Sequence, residues 1–460
     1  MSLIESTLAK FFEQYPSKDI VIAYSGGVDS QVLLHALATL KNQGQLTNAI
    51  QVCHVNHGLS EHAFTWQEFA QQQAEKLALP IAVCQVNVIA QKQQSLEELA
   101  RNARYKALQQ SASDNALIVT GHHSDDQSET FLLALKRGAG LKGLSAMKTS
   151  TSLGKQILVR PLLHIPRKII MAYATKYALS WIEDESNQDV RFDRNFIRHN
   201  IMPVLSERWP SILTTIARSA EHCGEAESLL MELAAQDLKI CQTSQNSLGV
   251  VAIQKLSQAR FNNLIRYFLQ RHHCLMPSTE QLEQVYHQLN AQIDKVPSVK
   301  VGRSWLRRFK NELHLTDDFE DVSAWSHEVK IKQTSGLQQI ILPDQLGTLA
   351  FTSELFDQTR DKHQDNVLAY HQVGAPNKNQ KLMVKFSHSN PKCLPEYRQH
   401  SRSMKKVLQE LSIAPWQRKR LPFIYYDEQL VAVVGHFICK AYRATKDAPT
   451  IDICWSMPAP

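Results

Sequence analysis

Apolar positions in the first 136 residues switch repeatedly between a short β-branched run and a helical period. DIVIAYS (19–25) is apolar along almost its whole length, as a buried strand requires, and in Asp29 to Lys41 the residues Val32, Leu33, Leu37 and Leu40 recur on one helical face. The same alternation predicts strands at IQVCHVNH (50–57), IAVCQVNV (81–88) and ALIVTGHH (116–123), with helices over Glu61 to Leu79, Ser95 to Gln110 and Asp125 to Lys136. Strand, helix, strand, helix is the pattern of a parallel sheet with right-handed crossovers, and ligands of such sheets bind beyond the carboxyl ends of the strands. Chemistry is therefore expected in the loops after Tyr24 and Thr120.

Past Arg194 the pattern turns predominantly helical to about Asn311, as in RFNNLIRYFLQRHH (260–273), and QTSGLQQIILPDQLGTLAF (333–351) then alternates like strands, before a polar loop at GAPNKNQK (374–381). The expected class is α/β: an N-terminal doubly wound parallel sheet over 1–215, a mainly helical middle domain over 216–330, and a small α+β domain over 331–460.

Composition narrows the function classes. A chain of 460 residues that is 43% hydrophobic has material for two to three cores, and it contains no repeat or low-complexity tract. The net charge of +7 suits a polyanionic partner such as nucleic acid, or simply a solvated basic surface. Eight scattered cysteines form no CxxC pair and no zinc-ligand spacing, as expected of a reduced cytoplasmic protein. The N-terminal segment reads as an amphipathic helix rather than an export signal, and no apolar stretch approaches the ~20 residues that span a bilayer, so no membrane role is expected.

SGGVDS, Ser25 to Ser30, stands between a strand and a helix. Adjacent glycines let successive N–H groups converge, and the helix start adds its positive end: together these form a phosphate cradle made by Ser25, Gly26, Gly27, Val28, Asp29 and Ser30. A carboxylate beside phosphates needs a cation between them, so Asp29 implies Mg²⁺. A plain Gly-Gly turn with a Ser/Asp cap would share these residues. The loop lacks both the lysine of GxxxxGK[ST] and the spacing of GxGxxG.

In GHHSDDQSET (121–130), Asp126 and Glu129 lie three residues apart, on one helical face at the cleft mouth, where they would bind a metal or an ammonium group. His122 and His123 would donate to phosphate or transfer protons, and Asp125 would cap the helix. A charged helix start favoured by the dipole is the plainer alternative. Arg101 and Arg104 in ELARNARY would reach phosphates, or lie inert on the surface.

SGGxDS resembles the PP-loop of ATP pyrophosphatases, a Rossmann-like superfamily. The ordered set SGGVDS, HVNHGLS (54–60), ARNARY (100–105), GHHSDDQSET, RPLL (160–163), EDESN (183–187), RNFIRHNIMP (194–203) and APWQRKRLPFIYYDEQLVAVVGH (414–436) resembles the tRNA(Ile)-lysidine synthetase family in its long bacterial form. The resemblance covers almost the whole chain, most loosely in the middle. It implies that ATP adenylates C2 of the wobble cytidine of tRNA(Ile) with a CAU anticodon. The ε-amine of free L-lysine then displaces AMP, and decoding changes from AUG to AUA.

Carried over by motif, Ser25 to Ser30 and His122 hold ATP, with Mg²⁺ at Asp29, and Asp29, Arg104, Asp126 and Glu129 line the reaction centre. The two acidic groups would receive the lysine ammonium, and Asp126 would assist its deprotonation. Asn195 and Arg198 would contact tRNA or close the site. Arg398, Arg402, Lys405, Lys406, Arg418, Lys419 and Arg420, beside Tyr397 and Trp416, would dock tRNA phosphates, although a solvated basic face with a core tryptophan has the same composition. Monomer and homodimer are both compatible. A PP-loop tRNA thiolase or another adenylating tRNA-modifying enzyme is the alternative; a thiolase would need a CxxC pair or a persulfide cysteine near the site, and Cys53 and Cys84 read as core residues instead.

Overall fold

The computed structural model describes residues 1–58, 60–87, 96–289, 297–330, 337–353, 366–377, 379–445 and 448–457. Leu59 of the HVNHGLS motif, Val88 at the end of its predicted strand, Ser95 at its helix start, 333–336 of the alternating stretch and Lys378 of the polar loop lie outside the described residues. The chain forms two compact units, Met1–Glu232 and Leu233–Pro460.

The first unit is built on strands β1 (Ile20–Ala23), β2 (Ile50–Asn56), β3 (Ile81–Gln85), β4 (Leu117–Val119), β5 (Ser150–Leu153) and β6 (Gln156–Val159), in the spatial order β3-β2-β1-β4-β6-β5. All neighbours run parallel except the β5/β6 hairpin at one edge. Alternation along β1 sends Ile20 and Ile22 to one face and Val21 to the other, so each face has its own core. Helices α1 (Leu3–Phe12), α2 (Val28–Asn42) and α3 (Ala63–Lys76) cover the first face with Leu8, Leu37 and Ala70, and α4 (Leu96–Ser111) covers the second with Leu108. Helix α5 (Ser124–Lys136) follows β4. Winding from β1 goes outward to β3 and then returns to β4 on β1's other side, so the β1 and β4 loops meet at the switch point where such sheets bind ligands.

The stretch expected to be predominantly helical does contain helices Gln258–Arg271 and Thr279–Leu289, but they are accompanied by a five-stranded antiparallel sheet that includes Ser298–Val301, Ser304–Phe309 and Glu312–Asp317. These strands are short, and the adjacent Arg307 and Arg308 mask their alternation. Leu306 and Leu313 nevertheless face the same core as Phe261 and Phe268. The remainder is β-rich: a five-stranded and a four-stranded sheet share a core around Phe351, Ile424 and Ile453, and helix Met404–Glu410 packs on a second core with Phe423 and Phe437. No helix among the described residues is long and apolar enough to cross a membrane.

Candidate active site

β1 ends at Ala23, and the buried Tyr24 donates its N–H to Cys53 O at 2.9 Å, which anchors the start of the loop. Gly26 then takes φ +89°, a left-handed conformation that side chains resist, and a Cβ there would lie 2.9 Å from Ile182 Cδ1. Gly27 is extended and α2 begins at Val28, so the unpaired N–H groups of its first turn open onto the cleft. The two serines define the loop from inside. The Ser30 hydroxyl donates to Gly27 O at 2.9 Å, accepts from Ser25 N–H at 3.3 Å, and lies 3.2 Å from Ser25 Oγ. Ile182 N–H donates to Gly26 O at 2.9 Å, which brings the segment carrying EDESN alongside the loop.

Gly121, just past β4, faces the start of α2. An added Cβ would lie 2.8 Å from Asp29 O and 2.9 Å from Asp29 C, so the two loops approach as closely as backbone allows. Sequence gave no signal for this beyond a glycine at a strand's carboxyl end.

The surroundings of the paired histidines pull them in opposite directions. His123 is 1% exposed, its Nε2 is 3.5 Å from Asp29 and 3.4 Å from Asp126, and its Nδ1 is 3.7 Å from Asp125. Burial opposes its charge, but the carboxylates of Asp125, Asp29 and Asp126 gathered around the ring raise it to about 10. His122 is pushed down to about 3, chiefly by burial, with Arg160, Arg104 and Arg194 adding and Asp126 opposing. Its Nδ1 is 2.8 Å from Thr120 Oγ1. Because the ordinary histidine value is near 6.5, His123 contributes stability that is complete below that value and is lost as pH rises through about 10. For His122 the contribution is complete above the ordinary value and lost as pH falls through about 3. Titration of the imidazole Hε1 resonances by NMR is expected to show one histidine protonated past pH 9 and another neutral below pH 4, the first absent from His123→Gln and the second from His122→Gln.

Asp126 and Glu129, 8% and 1% exposed, face the same direction, as their spacing predicts. Both are bound by arginines from RNFIR. Arg194 donates to Glu129 Oε2 at 2.8 Å and to Asp126 Oδ1 at 3.0 Å; Arg198 donates to the two Glu129 oxygens at 2.6 and 2.9 Å and to Asp126 Oδ1 at 3.2 Å. Burial raises the Asp126 carboxyl, but the charges of His123 and Arg194, with the His123 backbone N–H donating to it, hold it below the usual carboxylate range. Arg194, not singled out from sequence, carried a usable signal: it is four residues before Arg198 and shares its helical face. The two sit where a short helix, Asp193–Phe196, opens into a π turn at Ile197–Ile201. Pro203 lies four residues after His199 and has no N–H to return to that carbonyl, which favours the wider turn. Asn195 donates to Ser186 O at 2.9 Å and Asp189 O at 3.0 Å, so its amide pins the EDESN segment to the arginine helix.

These elements enclose a cleft of about 770 Å³ lined by Ser25, Asp29, His122, Arg104, Asp126 and Arg198, among others. Arg101 and Arg167 also line it and add positive charge to the cleft. Among the described residues no group of three His, Cys, Asp or Glu side chains converges as a metal cage. An ion held by one carboxylate together with phosphate oxygens and water needs no such cage.

The C-terminal basic residues divide into two sets. Lys405 and Lys406 are exposed, and Arg402 is also at the surface with its guanidinium 3.4 Å from Glu410. Arg398 pairs with Glu410, Arg418 donates to Ile413 O at 2.7 Å, and Arg420 binds the Asp344 carboxylate and carbonyl. Trp416 is half-buried against Phe309 and His314, with Arg307 over its ring at 5.5 Å. A larger cavity of about 1420 Å³ in this unit, lined by Trp416, Arg420 and His436, contains none of the phosphate-loop chemistry.

Residues 1–205 match the model of the PP-loop domain family, 248–314 that of the TilS substrate binding domain, and 382–455 that of the TilS substrate C-terminal domain. A tRNA(Ile)-lysidine synthase from Photorhabdus laumondii is 37% identical over 450 residues, covering 98% of this chain and 96% of the relative. Those from Pectobacterium atrosepticum and Coxiella burnetii are 38% and 37% identical, covering 95% of this chain in each case and 94% and 93% of the relatives.

Proposed function

The chain belongs to the tRNA(Ile)-lysidine synthase family, and on that premise we propose that it joins free L-lysine to C2 of the wobble cytidine in tRNA(Ile) with a CAU anticodon. It is an ATP-using ligase that acts on tRNA. The observation that carries the finer reading is the meeting, in one cleft, of a phosphate loop with a buried cluster of two carboxylates and two arginines.

In the first step the cytosine O2 attacks the α-phosphorus of ATP and pyrophosphate leaves. The N–H groups at the start of α2, with Gly26 and Gly27, suit the leaving pyrophosphate, and Arg104 on the cleft wall suits its neighbouring oxygens. Asp29 is the residue that would hold Mg²⁺, which supplies charge neutralisation between the phosphates and that carboxylate. His122, kept neutral, offers a hydrogen bond rather than a competing charge.

In the second step the lysine ε-amine attacks C2, and AMP departs with the original O2. Free lysine is a zwitterion with an additional ammonium, and the Asp126/Glu129/Arg194/Arg198 cluster presents both signs needed to hold it. The depressed Asp126 is a better anchor for an ammonium than a base for its proton, a shift of emphasis from deprotonation to positioning.

The thiolase alternative finds no support at Cys53 and Cys84. Their sulfurs lie 3.8 Å apart on neighbouring strands, and burial pushes the Cys53 thiol up to about 12, so it stays un-ionised at neutral pH. The groups invoked lie in one chain, compatible with a monomer or a homodimer, and the substrates are those of the cytoplasm.

Labelled lysine is expected to enter an unmodified tRNA(Ile) transcript with a CAU anticodon, and not methionine tRNA, in the presence of ATP. Chelation of divalent ions by EDTA should abolish incorporation and added Mg²⁺ restore it. Pyrophosphate release without incorporation would retain adenylation and overturn lysine as the nucleophile.

A further inference from the structure

Beside the arginine pair, the same short stretch exposes aromatic surface that the chemistry above does not use. Phe192 is 52% exposed and lines the cleft, and Phe196, one turn on, is 45% exposed. Phe196 N–H donates to Phe192 O at 2.9 Å, which brings the two residues one turn apart at the start of the helix, while Arg194 and Arg198 turn toward Asp126 and Glu129. Among the described residues neither ring has an aromatic partner. Flanking charges are already paired, Arg191 with Asp189 at 2.7 Å and Lys136 with Asp193 at 2.5 Å, so the rings themselves are the unsatisfied feature.

Two large apolar rings left in water, one lining the cleft and one a turn away from it, carry a cost that a ligand would offset. Unpaired RNA bases are flat, apolar on both faces and tied to phosphates, and proteins that read single-stranded RNA stack such bases on exposed aromatic side chains. Arg101 and Arg167, which also line the cleft, complement the phosphates of the same strand.

We propose that Phe192 and Phe196 form a stacking platform for an unpaired anticodon-loop base adjacent to the reacting cytosine. The platform keeps the loop open and presents the target base to the α-phosphate. This rests on tRNA being the substrate of the cleft. Both are positioning residues: they touch the RNA but none of the reacting atoms.

The test compares wild type, F192A, the double variant F192A/F196A, and F192W, using the tRNA(Ile) transcript and the isolated anticodon stem-loop, with ATP affinity measured alongside. The double alanine variant is expected to raise KM for tRNA roughly 10- to 100-fold, the range of one lost base stack, with affinity for ATP unchanged. F192W should retain near wild-type KM. A stem-loop made abasic at the stacked position should bind wild type as weakly as the intact loop binds the double variant, and the two losses should not add. Unchanged KM in the double variant overturns the platform, as does a fall in kcat and ATP affinity with tRNA binding intact. Failure of wild type itself to incorporate lysine would instead overturn the reaction on which the proposal rests.

Discussion

Replacing Glu129 with Gln is expected to lower lysine incorporation by roughly 100- to 1000-fold, the scale of breaking a buried, hydrogen-bonded charge pair. Glu129 accepts three arginine hydrogen bonds between 2.6 and 2.9 Å. An amide of the same shape keeps one acceptor oxygen, turns donors toward a guanidinium, and leaves a net positive charge in a site 1% exposed. The melting temperature should fall as well, and that separates two causes. Adding Arg198→Gln removes the excess charge and should recover much of the melting temperature, because removing both partners of a buried pair is far less damaging than removing one. Activity should stay low in the double variant if the cluster holds substrate. Recovery of activity together with stability would mean that the cluster is only structural. Steady-state incorporation at varied lysine, paired with thermal melts, distinguishes these results.

Gly121→Ala has the second-largest expected effect, through shape and not charge. The new methyl would stand 2.8 Å from the Asp29 carbonyl oxygen, well inside contact distance, and backbone cannot swing aside as a flexible side chain can. The start of α2 must shift, at a cost of about 1–3 kcal/mol for such overpacking. The shift displaces the N–H groups meant for phosphate, so affinity for ATP should drop roughly 10- to 100-fold, each tenfold costing about 1.4 kcal/mol. Gly140→Ala, where an added Cβ meets nothing within 4 Å, is the matched control and should bind ATP as wild type does. Equilibrium binding of ATP to the three proteins checks the expectation; equal affinities would mean that the two loops can separate without loss.

The catalytic unit was readable where one segment determines its own conformation. The four main strands are short apolar runs bounded by turn residues, the phosphate loop needs two adjacent glycines, and Asp126 and Glu129 share a face because the helix period says so. What stayed hidden depends on distant segments meeting. Arg194 contacts Glu129 across 65 residues of sequence, and Gly121 matters only because Asp29 O arrives opposite it. Charge counting over the C-terminal basic stretch likewise could not tell Lys405 and Lys406, which face solvent, from Arg418 and Arg420, whose donors are taken by Ile413 O and Asp344. The hairpin β5/β6 and the middle antiparallel sheet escaped notice because strands of three to six residues carry too few positions to separate a period of two from chance.

The order of the arginines along the chain also has a meaning in time. All six strands of the catalytic sheet lie before residue 160, whereas the guanidiniums that neutralise Asp126 and Glu129 are at 194 and 198. A polypeptide emerging at roughly 5–20 residues per second therefore spends a few seconds with its sheet complete and its acidic pair uncompensated. During that interval burial of the two carboxylates without a cationic partner is unfavourable. The phosphate loop is thus complete in the chain well before the arginines that pair with Asp126 and Glu129, so a fragment ending before Arg194 would carry the sheet without the partners of that acidic pair.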